Sequence, residues 1–215
     1  ASTYSWTGGV TNGTVFSPPA TASYSVSGTS TAGCTSTNVA AVVVSVTPLP
    51  AINGSANNPV ICFGNSVTLN GSGGNTYTWT AAAGNPSNGV AFSPTATASY
   101  SVIGTSLAGC TNTTPAVITV TVNSLPNVSA SSSSSAICIG STVSLAGSGA
   151  NTYTWSTTEN TTSIAVSPTI QTTYTVIGTD ANGCSNSSIV TQSVSLCTGI
   201  AQLVNEASVS AFPNP

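Results

Sequence analysis

The sequence predicts an all-β fold, built of small two-sheet sandwiches in tandem. Three observations carry that expectation. The chain takes its polarity from Ser, Thr, Asn and Gly rather than from charge, with three acidic residues and no Lys, Arg or His among 215. These residues favour strands and turns over helices. Apolar and polar residues alternate in short segments, and no segment has a helical period. Long stretches of the chain also repeat one another, which points to a modular array.

The repeats set the boundaries. ICFGNSVTLNGSGGNTYTWT (61–80) matches ICIGSTVSLAGSGANTYTWS (137–156) closely. The second half occurs three times, as SPPATASYSVSGTSTAGC (17–34), SPTATASYSVIGTSLAGC (93–110) and SPTIQTTYTVIGTDANGC (167–184). Trp6, Trp79 and Trp155 lie 73 and 76 residues apart and fix the period. Within a repeat, Val67 and Leu69 alternate with polar neighbours, as do Tyr77 with Trp79, Tyr100 with Val102, and Ile118 with Val120 and Val122. Each of these is a strand with one apolar face. Gly and Asn clusters such as 71–75 supply turns, and six or seven strands in roughly 75 residues read as a sandwich. Pro48-Leu49-Pro50 and Leu125-Pro126 mark strand exits. The domains are therefore 1–47, which lacks its opening strands, 48–123, 124–196, and a tail 197–215. Trp6, Trp79 and Trp155, with Tyr24, Tyr100 and Tyr174, recur at single repeat positions and read as core.

The missing residue types exclude several functions. Nucleic-acid binding needs cations to displace phosphate counterions, and the chain has none. A His-based triad, a Lys Schiff base and a His-ligated metal cannot be built. The three carboxylates, Glu159, Asp180 and Glu206, are too scattered for a calcium site. No catalytic group, cofactor site or metal site is expected, and no apolar run approaches the roughly 18 residues of a membrane span. Lacking Met, the chain reads as a processed product or as a segment of something longer. Asn-x-Ser/Thr triplets and abundant hydroxyls leave glycans possible.

Six cysteines occupy two repeat positions. Cys62 and Cys138 stand in C-x-G before the first core strand; Cys34, Cys110 and Cys184 close AGC or NGC. By repeat position the expected disulfides are Cys62–Cys110 and Cys138–Cys184, each contributing roughly 3–4 kcal/mol in the loop-entropy model. Paired cysteines imply an oxidising compartment, hence a secreted or cell-surface location. Cys34 has no mate in its own repeat, and Cys197 begins a tail with the same C-x-G. That tail is long enough to supply the strand missing from domain 1 of a second copy, locked by an intersubunit Cys34–Cys197 bond in a head-to-tail homopolymer. Alternatively, upstream residues complete domain 1.

The combination of ICxGxxVxLxGSGxxTYTW with SPTxTxxYTVxGTxxxGC resembles the immunoglobulin-like repeats of secreted and surface proteins of Bacteroidetes, over nearly all of residues 1–196. The end of the tail, Val209 to Pro215, is similar to the opening of a type IX secretion sorting domain. The resemblance implies tandem immunoglobulin-like sandwiches exported across the outer membrane. Two functions are expected of such a chain: a structural subunit of an extracellular filament or surface fibre, or an adhesin stalk or carbohydrate-binding array of a larger secreted protein.

Overall fold

The computed structural model describes residues 3–197, which form seventeen strands and one short 3-10 turn. The first repeat holds β1 (Thr3–Trp6), β2 (Ala22–Thr29) and β3 (Ala40–Val44), with the 3-10 turn at Thr7–Gly9. These strands make one antiparallel sheet in the order β1-β2-β3.

The second repeat is a complete sandwich. Its strands are β4 (Asn53–Ala56), β5 (Val60–Cys62), β6 (Val67–Ser72), β7 (Thr76–Thr80), β8 (Ala91–Phe92), β9 (Ala98–Thr105) and β10 (Ala116–Asn123). One sheet runs β4-β6-β8 and the other β5-β10-β9-β7. The third repeat has the same plan: β11 (Ser129–Ser132), β12 (Ala136–Cys138), β13 (Val143–Ser148), β14 (Thr152–Trp155), β15 (Ser163–Val166), β16 (Thr172–Thr179) and β17 (Ser185–Ser195). Its sheets are β11-β13-β15 and β12-β17-β16-β14. The tandem all-β sandwich is thus the architecture of the chain.

One strand in each complete sandwich runs against the antiparallel rule. β5 pairs in parallel with the end of β10, with Cys62 opposite Asn123. Likewise β12 pairs in parallel with the end of β17, with Cys138 opposite Ser195. The opening strand of a sandwich therefore lies along its closing strand and points the same way.

The alternating faces bury what their pattern directs inward. Val67, Leu69, Trp79, Tyr100, Val102 and Val120 are buried in the second repeat. Val143, Leu145, Trp155, Ile164, Tyr174 and Val176 form the core of the third. The indole N–H groups are satisfied there: Trp79 Nε1 donates to Asn88 Oδ1 at 3.0 Å and Trp155 Nε1 to the Thr161 carbonyl at 2.9 Å. Each ring thus combines a large apolar area with one polar handle. In the first repeat Tyr24 is 9% exposed, while Trp6 is half-buried. Gln192 replaces the inward valine of the other repeats and is fully buried. Its amide is paired: Oε1 accepts from Ser132 at 2.6 Å, and Nε2 donates to the Ser193 carbonyl at 3.1 Å.

The described residues divide into two compact units. One takes the chain up to Pro59 together with Ser66–Val120; the other takes Val60–Asn65 together with the chain from Thr121 onward. The segment Val60–Asn65, which the repeat pattern places inside domain 48–123, belongs with the later unit.

Candidate functional site

The feature that sets this chain apart is where its cysteines go. Two backbone devices present them. The first is the turn between the last two strands of each repeat. In the third repeat the Asp180 N–H donates to the Cys184 carbonyl at 2.9 Å, and the Gly183 N–H donates to the Asp180 carbonyl at 3.2 Å. Gly183 sits at φ +79°, a left-handed conformation that glycine adopts without penalty. The Asp180 carboxylate accepts from the N–H groups of Asn182 and Cys184, at 2.9 and 2.8 Å. The same turn is built at Ser106–Cys110 and Ser30–Cys34, with a serine hydroxyl accepting from the cysteine N–H at 3.2 Å in each. Gly109 and Gly33 supply the left-handed residue at φ +80° and +83°.

The second device is the end of the parallel opening strand. After Cys62, the Phe63 N–H donates to the Asn123 carbonyl at 2.8 Å and the Asn65 N–H returns to the Cys62 carbonyl at 3.0 Å, with Gly64 at φ +90°. Cys138 is held identically: Ile139 N–H to Ser195 carbonyl at 3.2 Å, Ser141 N–H to Cys138 carbonyl at 3.0 Å, Gly140 at φ +73°. The glycine of C-x-G is there because the chain must turn sharply off the sheet edge.

These devices combine differently from the expectation. Cys62 of the second repeat is bonded to Cys184 of the third, with Cα atoms 5.5 Å apart. Cys138 is bonded to Cys197, with Cα atoms 5.2 Å apart. Cys34 and Cys110 are free thiols, the former exposed and the latter half-buried. The expected Cys62–Cys110 and Cys138–Cys184 pairs are therefore corrected, and so is Cys34–Cys197, because Cys197 is already taken. The reason is strand direction. Cys62 lies at the Asn123 end of β10, whereas Cys110 lies in the turn that leads into Ala116 at its other end. At about 3.4 Å per residue those ends are roughly 24 Å apart, far beyond the ~7 Å Cα limit for a disulfide. The longer β17, roughly 34 Å from Ser185 to Ser195 at the same rise, keeps Cys138 from Cys184.

The Cys62–Cys184 bond sits beside a groove of about 450 Å³ lined by Phe63, Gly64, Asn65, Leu125, Gly183 and Ser185. Leu125 lies two residues past Asn123, as Cys197 lies two past Ser195. The second repeat thus carries a leucine where the third carries a cysteine. In consequence Cys62 is left to bond the next repeat's turn, whereas Cys138 is closed within its own.

Other candidate sites do not assemble. Among the described residues no group of three or more Cys, Asp, Glu or His could hold a metal, and Asp180 is engaged in its turn. No described helix is long and apolar enough to cross a membrane. The recurrent Trp79, Trp155, Tyr100 and Tyr174 are buried and offer no open face for stacking on a sugar. The expected donor segment after Cys197, with the sorting-domain opening at Val209 to Pro215, lies outside the described residues.

No family model and no curated protein matches the sequence. Solved structures are similar in fold. One is a Ca2+-stabilized adhesin that helps an Antarctic bacterium reach out and bind ice, 17% identical over 80% of this chain and 56% of that one, with a TM-score of 0.40. A second is a 1.5-MDa bacterial ice-binding adhesin, 18% identical over 81% of this chain and 74% of that one, with a TM-score of 0.36. A third is a surface glycan-binding protein of Bacteroides ovatus in complex with a mixed-linkage heptasaccharide, 16% identical over 91% of this chain and 60% of that one, with a TM-score of 0.25. This chain therefore spans just over half of the first.

Proposed function

We propose that this chain is a non-enzymatic, load-bearing segment of an extracellular fibre or stalk, in which successive immunoglobulin-like repeats are joined by disulfides as well as by the peptide backbone. The observation that carries the reading is the Cys62–Cys184 bond, which links one sequence repeat to the next. In a chain under tension it supplies a second covalent path around the linker that starts at Ser124. It also removes roughly 5 kcal/mol of chain entropy from the unfolded state, given the 122 residues it spans. Disulfides persist in oxidising compartments, which supports a secreted or surface location, and the resemblance of the tail to a type IX sorting signal supports export by that route. Burial of Trp79, Trp155, Tyr100 and Tyr174 weighs against a sugar-binding array in the second and third repeats. Whether copies of the chain polymerise or one copy serves as a stalk is visible by electron microscopy, as filaments or as isolated rods.

Single-molecule pulling between the chain ends tests the mechanical role. The Cys62–Cys184 bond hides the 122 residues between its ends from the applied force. Adding a reductant should therefore lengthen the fully extended chain by about 400 Å, at 3.3–3.6 Å per residue. An extended length that reductant leaves unchanged would remove the basis of the reading.

A further inference from the structure

We propose that the outer edge of β3, together with the Cys110 turn, is a docking site for an extended segment of the pattern apolar–apolar–Cys–x–Gly supplied from outside these 215 residues, whose cysteine bonds Cys110. The proposal deepens the reading above by extending its joint one repeat towards the N-terminus. Three features, two in the first repeat and one in the second, point to such a segment. The first is an edge without its strand. Val44 stands opposite Ala22 in β2 as Val120 stands opposite Ala98 in β9, so Ser45–Thr47 match Thr121–Asn123. In the second repeat those last three residues are strand and pair with Val60–Cys62. In the first repeat β3 stops at Val44, where that pairing would begin. The Val46 N–H donates to Thr21 Oγ1 at 2.8 Å, and its carbonyl accepts from the same hydroxyl at 3.3 Å. Backbone groups alternate sides along an extended chain, so those of Ser45 and Thr47 face the outer edge.

The second feature is the Cys110 turn. It repeats the backbone hydrogen bonds of the Cys184 turn, which does bond a C-x-G cysteine, yet its own thiol is free. The third is a mainly apolar groove of about 170 Å³ where Trp6, Phe16, Tyr24, Val42 and Val44 of the β1-β2-β3 sheet region meet the loop of residues 10–14. An apolar residue before the cysteine suits such a surface: Ile61, which precedes Cys62, is 4% exposed. In forming the bond, the thiol of Cys110 and that of the segment release two protons and pass two electrons to a disulfide oxidant, which becomes two thiols.

The test uses the full chain and the peptide PVICFGNS, the sequence of residues 59–66, activated as a mixed disulfide with thionitrobenzoate. The Cys110 thiolate attacks the peptide sulfur, the new S–S bond forms, and thionitrobenzoate leaves as its thiolate. Ordinary exchange follows thiol access, and so would label the exposed Cys34 first. A docking site reverses that order: peptide mapping should place PVICFGNS on Cys110 about tenfold faster than on Cys34, an order-of-magnitude preference against access. A scrambled peptide should lose the preference. Ser45→Pro, which removes an outward N–H, should slow labelling at Cys110 and leave Cys34 unchanged. Faster labelling of Cys34, or a preference for Cys110 that survives scrambling, overturns the proposal. So does a disulfide-linked dimer formed through Cys110 by the chain alone, since the occupant would then be a second copy. None of these outcomes bears on Cys62–Cys184, which the pulling experiment tests separately.

Discussion

Trp79 and Trp155 show how one residue position supports a whole repeat. Each is 2% exposed, each places its ring on the inner face of an edge strand, and each finds an acceptor for its indole N–H within its own repeat. Trp79 also meets Gly54 across the sandwich: a Cβ built on Gly54 would lie 2.9 Å from the ring, so a side chain there would force the ring to shift. Replacing Trp79 with alanine leaves a cavity that this close packing cannot collapse, and should cost roughly 3–5 kcal/mol by urea denaturation. A midpoint unchanged from wild type would mean the ring is not core. The inward position of these tryptophans is legible from alternation alone. That of Gln192 is not, because a buried amide depends on partners such as Ser132, sixty residues away in sequence.

Among the elements, the cysteine turn is the most exactingly built. Asp180 holds it with two N–H bonds, where Ser30 and Ser106 hold theirs with one side-chain bond each. Asp180→Ala removes both acceptors and should destabilise the third repeat by about 1–3 kcal/mol. Asp180→Ser recreates the turn of the other two repeats and should cost less than half as much; thermal melts of the two variants decide, and equal losses would show that the carboxylate does not organise the turn. The strands and turns were readable from period-2 patterning and from Gly and Asn placement. The cysteine pairing was not, and the opening strand explains why. Sequence spacing says that Cys62 and Cys110 share a repeat, but not that β5 runs parallel to β10, which puts Cys62 at the far end of that strand. Pairing direction is a tertiary property. One clue was present in the sequence: Leu125 and Cys197 hold equivalent places after the closing strand, so only the third repeat can satisfy its C-x-G cysteine internally.

For the molecule as a whole, the decisive feature is the one disulfide that joins the second repeat to the third. That bond runs from the C-x-G cysteine of the second repeat to the turn cysteine of the third, whereas the third repeat's own C-x-G cysteine, Cys138, is taken by Cys197. The measurement that tests this most directly is disulfide mapping of native material. The chain has no Lys or Arg for trypsin, so digestion with pepsin at low pH, where thiolates are scarce and exchange is slow, is the suitable route. The account predicts non-reduced peptides joining Cys62 to Cys184 and Cys138 to Cys197. A peptide joining Cys62 to Cys110, or Cys138 to Cys184, would confine each bond to its own repeat and contradict it.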